Sequence, residues 1–148
     1  MKLRIFYPLL AFCLVLSSCK KYEDGPAFSL MTVKARISNV WRIDKYLVNG
    51  ADQTTQYRQN IQRERMVFYQ SGRFDYSEVS GWLWAMPSYS GSWKLINNKE
   101  DIVLQKDDLS QPPQTYHILK LKKDEMWLEQ KPLSTLTLEY HYVPDDSN

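Results

Sequence analysis

The chain has 148 residues, of which 43% are hydrophobic, with 19 basic and 17 acidic side chains. The small basic excess comes from Lys2 and Arg4, and the remainder of the chain has 17 basic and 17 acidic side chains. A nucleic-acid-binding protein would present a basic face or stripe. The charge therefore gives no support to a nucleic-acid partner.

An apolar run from Ile5 to Leu16 follows these two basic residues. It is shorter than the roughly 20 residues that span a bilayer, and it has the charged start and small-residue exit of a secretory signal. The run ends in Leu16-Ser17-Ser18-Cys19, which has the form of a bacterial lipobox. We therefore expect residues 1–18 to be a signal peptide and Cys19 to carry lipid. An ordinary signal peptide, without lipid on Cys19, is the alternative.

Lipidation of Cys19 by two or three acyl chains would anchor the protein stably to a membrane of the cell envelope, expected to be the outer membrane. The other cysteine, Cys13, lies in the signal, so the folded part would contain no thiol for a disulfide, a nucleophile or a zinc site. Residues 19–28 are charged with a Gly-Pro break and are interpreted as a tether. The acidic pair Glu23-Asp24 only partly matches an export signal, so the periplasmic and surface faces both stay open.

Residues 29–146 are predicted to form one domain, which begins with a short helix. Within residues 29–39, Leu30, Val33 and Ile37 are spaced by three and four, and Ser29 is a candidate N-cap. Residues 40–48 alternate as a strand with one buried side. Its faces are predicted to be Trp41, Ile43 and Leu47 on one side, and Arg42, Asp44 and Tyr46 on the other.

The Asn49-Gly50 pair ends this strand with turn chemistry. The next stretch, residues 51–63, is polar, and Tyr57 and Ile61 are its apolar pair. It is interpreted as a loop or a poor surface helix. It could cover a barrel mouth, but a solvated connection is the favoured interpretation.

From Glu64 onward the pattern predicts only strands and turns. The predicted strands are residues 65–69, 73–79, 82–86, 89–96, 102–105, 116–121, 126–130 and 135–142. The predicted turns are residues 70–72, 97–98, 122–125 and 131–132, with a loop at 106–114. Connections this short favour an all-β, up-and-down antiparallel β-barrel of eight or nine strands, because closure removes the exposed edges of the sheet. A two-sheet β-sandwich is the alternative.

The segments CKKYEDGP, NVWRIDKYLVNGADQT, YSGSWKL and DIVLQ resemble those of the small lipocalin-like lipoproteins of bacterial envelopes. Trp41 is similar to the tryptophan that plugs the closed end of lipocalin barrels, although Asn39-Val40 replaces the usual Gly-x before it. The resemblance implies a β-barrel and a small hydrophobic ligand.

Bulky aromatic residues are predicted to occupy much of the barrel interior. The predicted inward set is Trp41, Phe68, Phe74, Tyr76, Trp93, Trp127, Tyr140 and Tyr142. The candidate ligand contacts are Trp41, Phe74, Tyr76, Trp84, Trp93 and Tyr140. A fully packed barrel and a shallow pocket at its open end both remain possible at this point.

A second aromatic feature spans residues 81–93, which contain Trp82, Trp84, Tyr89 and Trp93 around Pro87. Exposed rings there could stack on a glycan or contact a partner or membrane surface, whereas strand alternation would bury half of them. The alternative function is therefore an accessory protein that binds a glycan, an envelope polymer or a protein, with a filled barrel.

Motifs for catalysis are missing from the sequence. His117 and His141 are the only histidines and do not have metal-binding spacing. The chain has no Gly-x-Ser-x-Gly elbow and no Gly-rich phosphate loop. The sequence therefore predicts no enzyme, metal or cofactor, and favours a non-catalytic binding module for a small hydrophobic ligand.

Overall fold

Nine antiparallel strands, two short α-helices and one 3₁₀ helix (Asn97–Lys99) form the part of the chain that the computed structural model describes, namely Tyr22, residues 30–80 and residues 88–146. The α-helices are α1 (Val33–Ile37) and α2 (Thr54–Asn60). The strands are β1 (Val40–Val48), β2 (Ala51–Asp52), β3 (Ile61–Phe68), β4 (Arg73–Ser80), β5 (Ser88–Ile96), β6 (Asp101–Lys106), β7 (Gln114–Leu121), β8 (Met126–Leu133) and β9 (Leu136–Pro144).

Eight of these strands close into a barrel. Strands β3 to β9 pair in chain order, β3 also pairs with β1, and β9 returns to pair with β1 along most of its length. The two-residue strand β2 extends the edge of β1 through a hairpin at Asn49-Gly50. Both turn residues have positive φ, 49° and 80°, as a type I′ hairpin requires. The prediction of an up-and-down antiparallel barrel with a short N-terminal helix is confirmed.

Helix α1 covers one end of the barrel, which we call the closed end. Thr32 caps this helix by accepting a hydrogen bond from the Ala35 N–H at 3.1 Å, so the prediction of Ser29 as the cap was wrong. The indole N–H of Trp41 donates to the carbonyl of Ile37 at 2.8 Å. Trp41 thereby joins the end of the helix to the first strand.

Two further contacts tie N-terminal residues to the closed end. The guanidinium of Arg36 donates to the Leu121 carbonyl at 2.6 Å, and it lies 6.0 Å from the ring of Tyr22. Tyr22 is itself buried, and its hydroxyl donates to the Lys99 carbonyl at 2.9 Å. The turn between β5 and β6 and the end of β7 are thus both in contact with residues that precede β1.

Aliphatic and aromatic side chains fill the closed half of the barrel, and none of them is more than 5% exposed. They include Ile37, Trp41, Phe68, Phe74, Trp93, Ile102, Ile118, Leu121, Met126 and Leu128. Burial of this set from successive strands is the main stabilisation of a domain without a disulfide.

A bulge in β1 changes the predicted faces of that strand. Its register against β9 shifts between Ile43 and Lys45, which adds one residue on the outer side. After the bulge Tyr46, instead of Leu47, faces the interior, with its ring centroid 5.2 Å from that of Tyr140. The predicted strand bounds were correct, but the alternation was wrong beyond Asp44.

Three other predictions need correction. Strand β3 begins at Ile61, four residues before its predicted start. Lys131 and Pro132 belong to β8 and not to a turn. A register shift between Gln130 and Leu133 accommodates the proline within the strand. The chain turns at residues 134–135. Trp127 faces outward and stacks on His141 at 4.0 Å, since its neighbours Met126 and Leu128 face the core. The predicted strand at 82–86 lies outside the described residues.

Within the described residues, no helix combines the length and the apolar character that crossing a membrane requires.

Candidate functional site

The open half of the barrel, which we call the mouth, is lined mainly by tyrosines. The members of this tyrosine cluster are Tyr46, Tyr57, Tyr76, Tyr89, Tyr116, Tyr140 and Tyr142. Strand alternation turns six of them inward, and Tyr57 reaches the same space from α2. A tyrosine supplies a flat apolar ring and a hydroxyl, so this wall can contact both apolar and polar parts of a molecule.

The tyrosine rings form two groups in direct contact. On one side, the centroid of Tyr46 lies 4.8 Å from that of Tyr57 and 5.2 Å from that of Tyr140. On the other side, Tyr76 and Tyr89 stack at 4.7 Å. Most of these rings are only partly buried, in contrast to the fully buried closed half.

Glu64 lies where β1 and β3 separate. These strands pair only at Val40 and Trp41, so the Ile43 N–H, which points toward β3, has no partner from that strand. The Glu64 carboxylate accepts this N–H at 3.1 Å and also accepts the hydroxyl of Tyr57. From α2, the Arg58 guanidinium donates to the Ile43 carbonyl at 3.0 Å. Side chains therefore replace the missing backbone hydrogen bonds of the barrel wall.

Burial is the main cause of an unusual pKa at Glu64, which is only 8% exposed. It raises the pKa of this carboxyl to about 7, although the Tyr57 hydroxyl and the Ile43 N–H favour its charged form. The nearby carboxyl of Glu78 raises this pKa further. Glu64 thus has a pKa in the neutral range, where a carboxyl changes between donor and acceptor.

Glu78 lies directly opposite Glu64 in the pairing of β3 with β4, and it accepts a hydrogen bond from the hydroxyl of Tyr76. Burial raises the pKa of both Tyr57 and Tyr76 well above the usual value. Their hydroxyls therefore remain protonated at neutral pH and act as donors to the two carboxyl groups.

A basic residue lies on the other side of the stacked rings. Lys106 pairs with Gly91 and therefore faces inward, and its Nζ is 4.0 Å from the ring centroid of Tyr89. This is a close cation–π contact. Carboxyl groups and an ammonium group thus lie on the two sides of the Tyr76–Tyr89 stack.

Two of the cavities that adjoin the tyrosine cluster differ greatly in volume. The larger, of about 450 Å³, lies between α2 and β1, and we call it the mouth cavity. Its lining is Tyr46, Val48, Gln53, Gln56, Tyr57, Asn60 and Ile61. The smaller, of about 70 Å³, lies deeper, between Met66, Phe74, Tyr89 and Tyr116 among others. Of these two, the mouth cavity is within the range of about 300–1,000 Å³ that is usual for small-molecule sites.

The predicted ligand contacts fall into three groups. Tyr76 and Tyr140 lie in the mouth. Trp41, Phe74 and Trp93 are buried in the closed half, where they pack the core. Trp84 lies outside the described residues.

Sequence reasoning missed the residues that give the mouth its chemistry, which include Tyr57, Glu64, Glu78, Lys106 and Tyr116. One signal was present, because Glu64 is in phase with the apolar residues Met66 and Phe68 on the same strand. That alternation places a carboxyl on the inner face. Tyr57 gave no such signal, since its neighbours in α2 are all polar.

The two histidines lie on the outer surface of the barrel. His117 Nδ1 is 2.7 Å from a carboxylate oxygen of Asp101, and His141 contacts Glu139 and stacks on Trp127. Across the described part of the chain, no group of three or more His, Cys, Asp or Glu side chains is placed to hold a metal ion.

Comparison with known proteins gives matches among solved structures. No family model matches the chain, and no curated protein matches it. A solved structure of the siderocalin Ex-FABP, which is described as functioning through dual ligand specificities, matches 76% of this chain and 76% of its own. The sequence identity is 12% and the TM-score is 0.47.

Proposed function

We propose that this protein is a lipid-anchored binding protein of the cell envelope, which holds a small ligand with an apolar body in the mouth of its barrel. The observation that carries the proposal is that the side chains lining the barrel interior differ between its closed half and its mouth half. The closed half is fully buried, whereas the mouth half has partly buried tyrosines next to a cavity of about 450 Å³. Concave sites with aromatic walls and a few polar groups are typical of small-molecule binding.

The apolar body of the ligand would lie against the tyrosine rings. These rings face the interior and still keep part of their surface exposed. A ligand between them would remove that apolar surface from water, which is the main favourable contribution to binding. The amide side chains of Gln53, Gln56 and Asn60 at the rim would pair with polar substituents.

Binding is tested by exporting the Cys19→Ser form to the periplasm of its own host and measuring its native mass, followed by solvent extraction. We expect a reproducible bound mass that extraction releases. Tyr140→Ser should lose this mass, because Tyr140 faces the mouth, whereas Tyr69→Ser on the outer face should keep it. Only the apo mass in every preparation would contradict the proposal.

The lipid anchor is proposed from the sequence Leu16-Ser17-Ser18-Cys19. Residues 1–18 would be removed, and residues 19–28 would connect the lipid to the barrel domain of residues 29–146. Cys19→Ser should move the protein from the membrane to the soluble fraction, because it removes the acylated atom. Cys13→Ser, within the signal, is the matched control and should leave the protein on the membrane. Retention of the Cys19→Ser form on the membrane would refute the anchor.

One observation favours a second candidate function, the binding of a glycan on the outer face. A groove of about 460 Å³ runs over β3, β4 and β5, lined by Arg65, Tyr69, Asp75, Ser77, Ser88 and Ser90 among others. The exposed ring of Tyr69 beside hydroxyl and carboxylate groups has the features of a sugar site. On a glycan array, Tyr69→Ser would abolish such binding and Tyr140→Ser would not, which is the reverse of the pattern for the mouth.

A further inference from the structure

Two carboxyl groups face each other on the inner wall of the mouth. Glu64 and Glu78 are cross-strand neighbours in the β3–β4 pair, and both share their face with inward residues such as Met66 and Tyr76. Like charges directly opposite each other destabilise a sheet. This arrangement therefore has an energetic cost unless protonation of Glu64 or a positive group offsets it.

A nearby positive group, the guanidinium of Arg58, favours the charged form of Glu64 but forms no salt bridge with either carboxyl. Glu64 and Glu78 accept hydrogen bonds from tyrosine hydroxyls and from one backbone N–H, and neither forms a salt bridge within the described ranges. The nearby guanidinium of Arg58 donates to the carbonyls of Ile43 and Asp44. Lys106 contacts the ring of Tyr89, which lies beyond Tyr76 as seen from the carboxyls.

The aromatic wall beside the carboxyls already accepts a cation. The Lys106 ammonium lies 4.0 Å from the centroid of Tyr89, and Tyr89 stacks on Tyr76, whose hydroxyl contacts Glu78. An ammonium group in the mouth would meet the same kind of aromatic surface, and the carboxyls lie on the inner face next to it, where Tyr57 of the mouth cavity contacts Glu64. Aromatic faces with a carboxylate are the usual recognition elements for organic ammonium groups.

We infer that the mouth selects small organic cations, with the ammonium group held by Glu64 and Glu78 and the apolar body held by the tyrosine cluster. The inference rests on the proposed function, that the mouth binds a small ligand, and it assigns the charge of that ligand. A metal ion fits less well, because Ca²⁺ takes six to eight oxygen ligands and the site offers two carboxyl groups.

The test uses benzylammonium, benzyl alcohol and benzoate as probes of matched size and different charge. Each is titrated calorimetrically into the Cys19→Ser protein. We expect benzylammonium to bind, benzyl alcohol to bind about tenfold more weakly or not at all, and benzoate to show no binding.

Charge variants in the mouth make the test specific. Glu78→Gln should weaken benzylammonium binding about tenfold, and Lys106→Met should strengthen it, because the two variants remove opposite charges beside the same rings. Loss of structure could not produce effects of opposite sign. Glu129→Gln, on the outer face of β8, is the matched control and should leave binding unchanged.

The outcomes separate this inference from the proposed function. Equal binding of the three probes, or a native ligand that proves neutral or anionic, overturns the charge assignment and leaves a ligand-binding barrel. Weakening by both Glu78→Gln and Lys106→Met also overturns it. If no probe binds and the native mass shows no ligand, the proposed function fails and the inference fails with it.

Discussion

At the scale of single residues, Gly91 is needed for the packing of the closed half. A Cβ atom at this position would lie 2.2 Å from the Gln105 carbonyl oxygen and 2.5 Å from Cε1 of Phe74. Both neighbours are fixed, one in the next strand and the other in the core. The inward face of β5 therefore has room for the Phe74 ring only because residue 91 has no side chain.

Gly91→Ala should lower the free energy of unfolding by about 1–3 kcal/mol, the usual cost of overpacking a core. The measurement is urea denaturation followed by tryptophan fluorescence. Ser92→Ala, at the next and outward-facing position, should change stability by less than about 0.5 kcal/mol. An unchanged midpoint for Gly91→Ala would show that the ring of Phe74 moves freely.

Glu64 should make stability fall as pH rises. Burial raises its folded pKa from 4.5 to about 7, so the unfolded chain releases the proton first. The groups around it are Tyr57 and Arg58 from α2, the Ile43 N–H from β1 and Glu78 from β4. Below pH 4.5 the Glu64 carboxyl is protonated in both the folded and the unfolded chain, so it does not change the free energy of unfolding. Between 4.5 and 7 the free energy of unfolding should fall by about 3 kcal/mol, and above 7 this contribution is constant.

The measurement is urea denaturation from pH 4 to pH 8 for the natural protein and for Glu64→Gln. The variant cannot ionise at this position, so the difference between the two stability curves should change through that interval and be flat above it. Parallel curves would mean that Glu64 titrates as an ordinary exposed carboxyl.

At the scale of elements, α2 is a helix that the hydrophobic pattern of the sequence does not reveal. Its residues are mostly exposed, and its N-cap residue Gln53 makes no side-chain capping bond. The helix is instead held by two side-chain contacts. The hydroxyl of Tyr57 donates to the carboxylate of Glu64, and the guanidinium of Arg58 donates to two backbone carbonyls of β1. Periodicity detects an apolar stripe, not two polar contacts to a gap in a barrel wall. The polar pattern of residues 51–63 therefore favours a solvated connection, although the structure has a helix there.

Strand β1 shows a different limit of sequence-based prediction, namely which of its side chains face the barrel interior. Alternation gave its bounds correctly, because Val40, Trp41 and Ile43 alternate as a half-buried strand should. Alternation assumes an unbroken pleat, however, and the register shift after Ile43 reverses the later residues. Tyr46 consequently lies in the mouth, and the sequence pattern contains no sign of the bulge.

Trp41 is expected to hold α1 on the closed end. Trp41→Phe keeps the aromatic ring but removes the N–H that donates to the Ile37 carbonyl. The amides of Arg36 and Ser38, which donate to Thr32 and Lys34, should then exchange with deuterium about tenfold faster, since loss of a buried hydrogen bond costs about 1–2 kcal/mol. Trp127→Phe on the outer face is the control. Unchanged exchange in Trp41→Phe would show that apolar contacts alone hold the helix.

At the scale of the whole molecule, the barrel was predictable and the depth of each residue within it was not. Short alternating strands with short turns allow few arrangements, and closure was the favoured one. Which inward residues share a level depends on strand tilt and stagger, which a linear sequence does not display. Tyr76 and Trp93 were therefore indistinguishable as candidates, although one lines the mouth and the other is core.

The contact between Tyr22 and the Lys99 carbonyl has a consequence for how the molecule stands on a membrane. Tyr22 is three residues from Cys19 in the sequence. Three residues of fully extended chain span at most about 10 Å, so Cys19 must lie within about that distance of Tyr22. If Cys19 is acylated as proposed, the closed end would lie against the lipid headgroups and the mouth would point away from them into the aqueous compartment. A ligand would then arrive by diffusion through water instead of by lateral movement out of the bilayer.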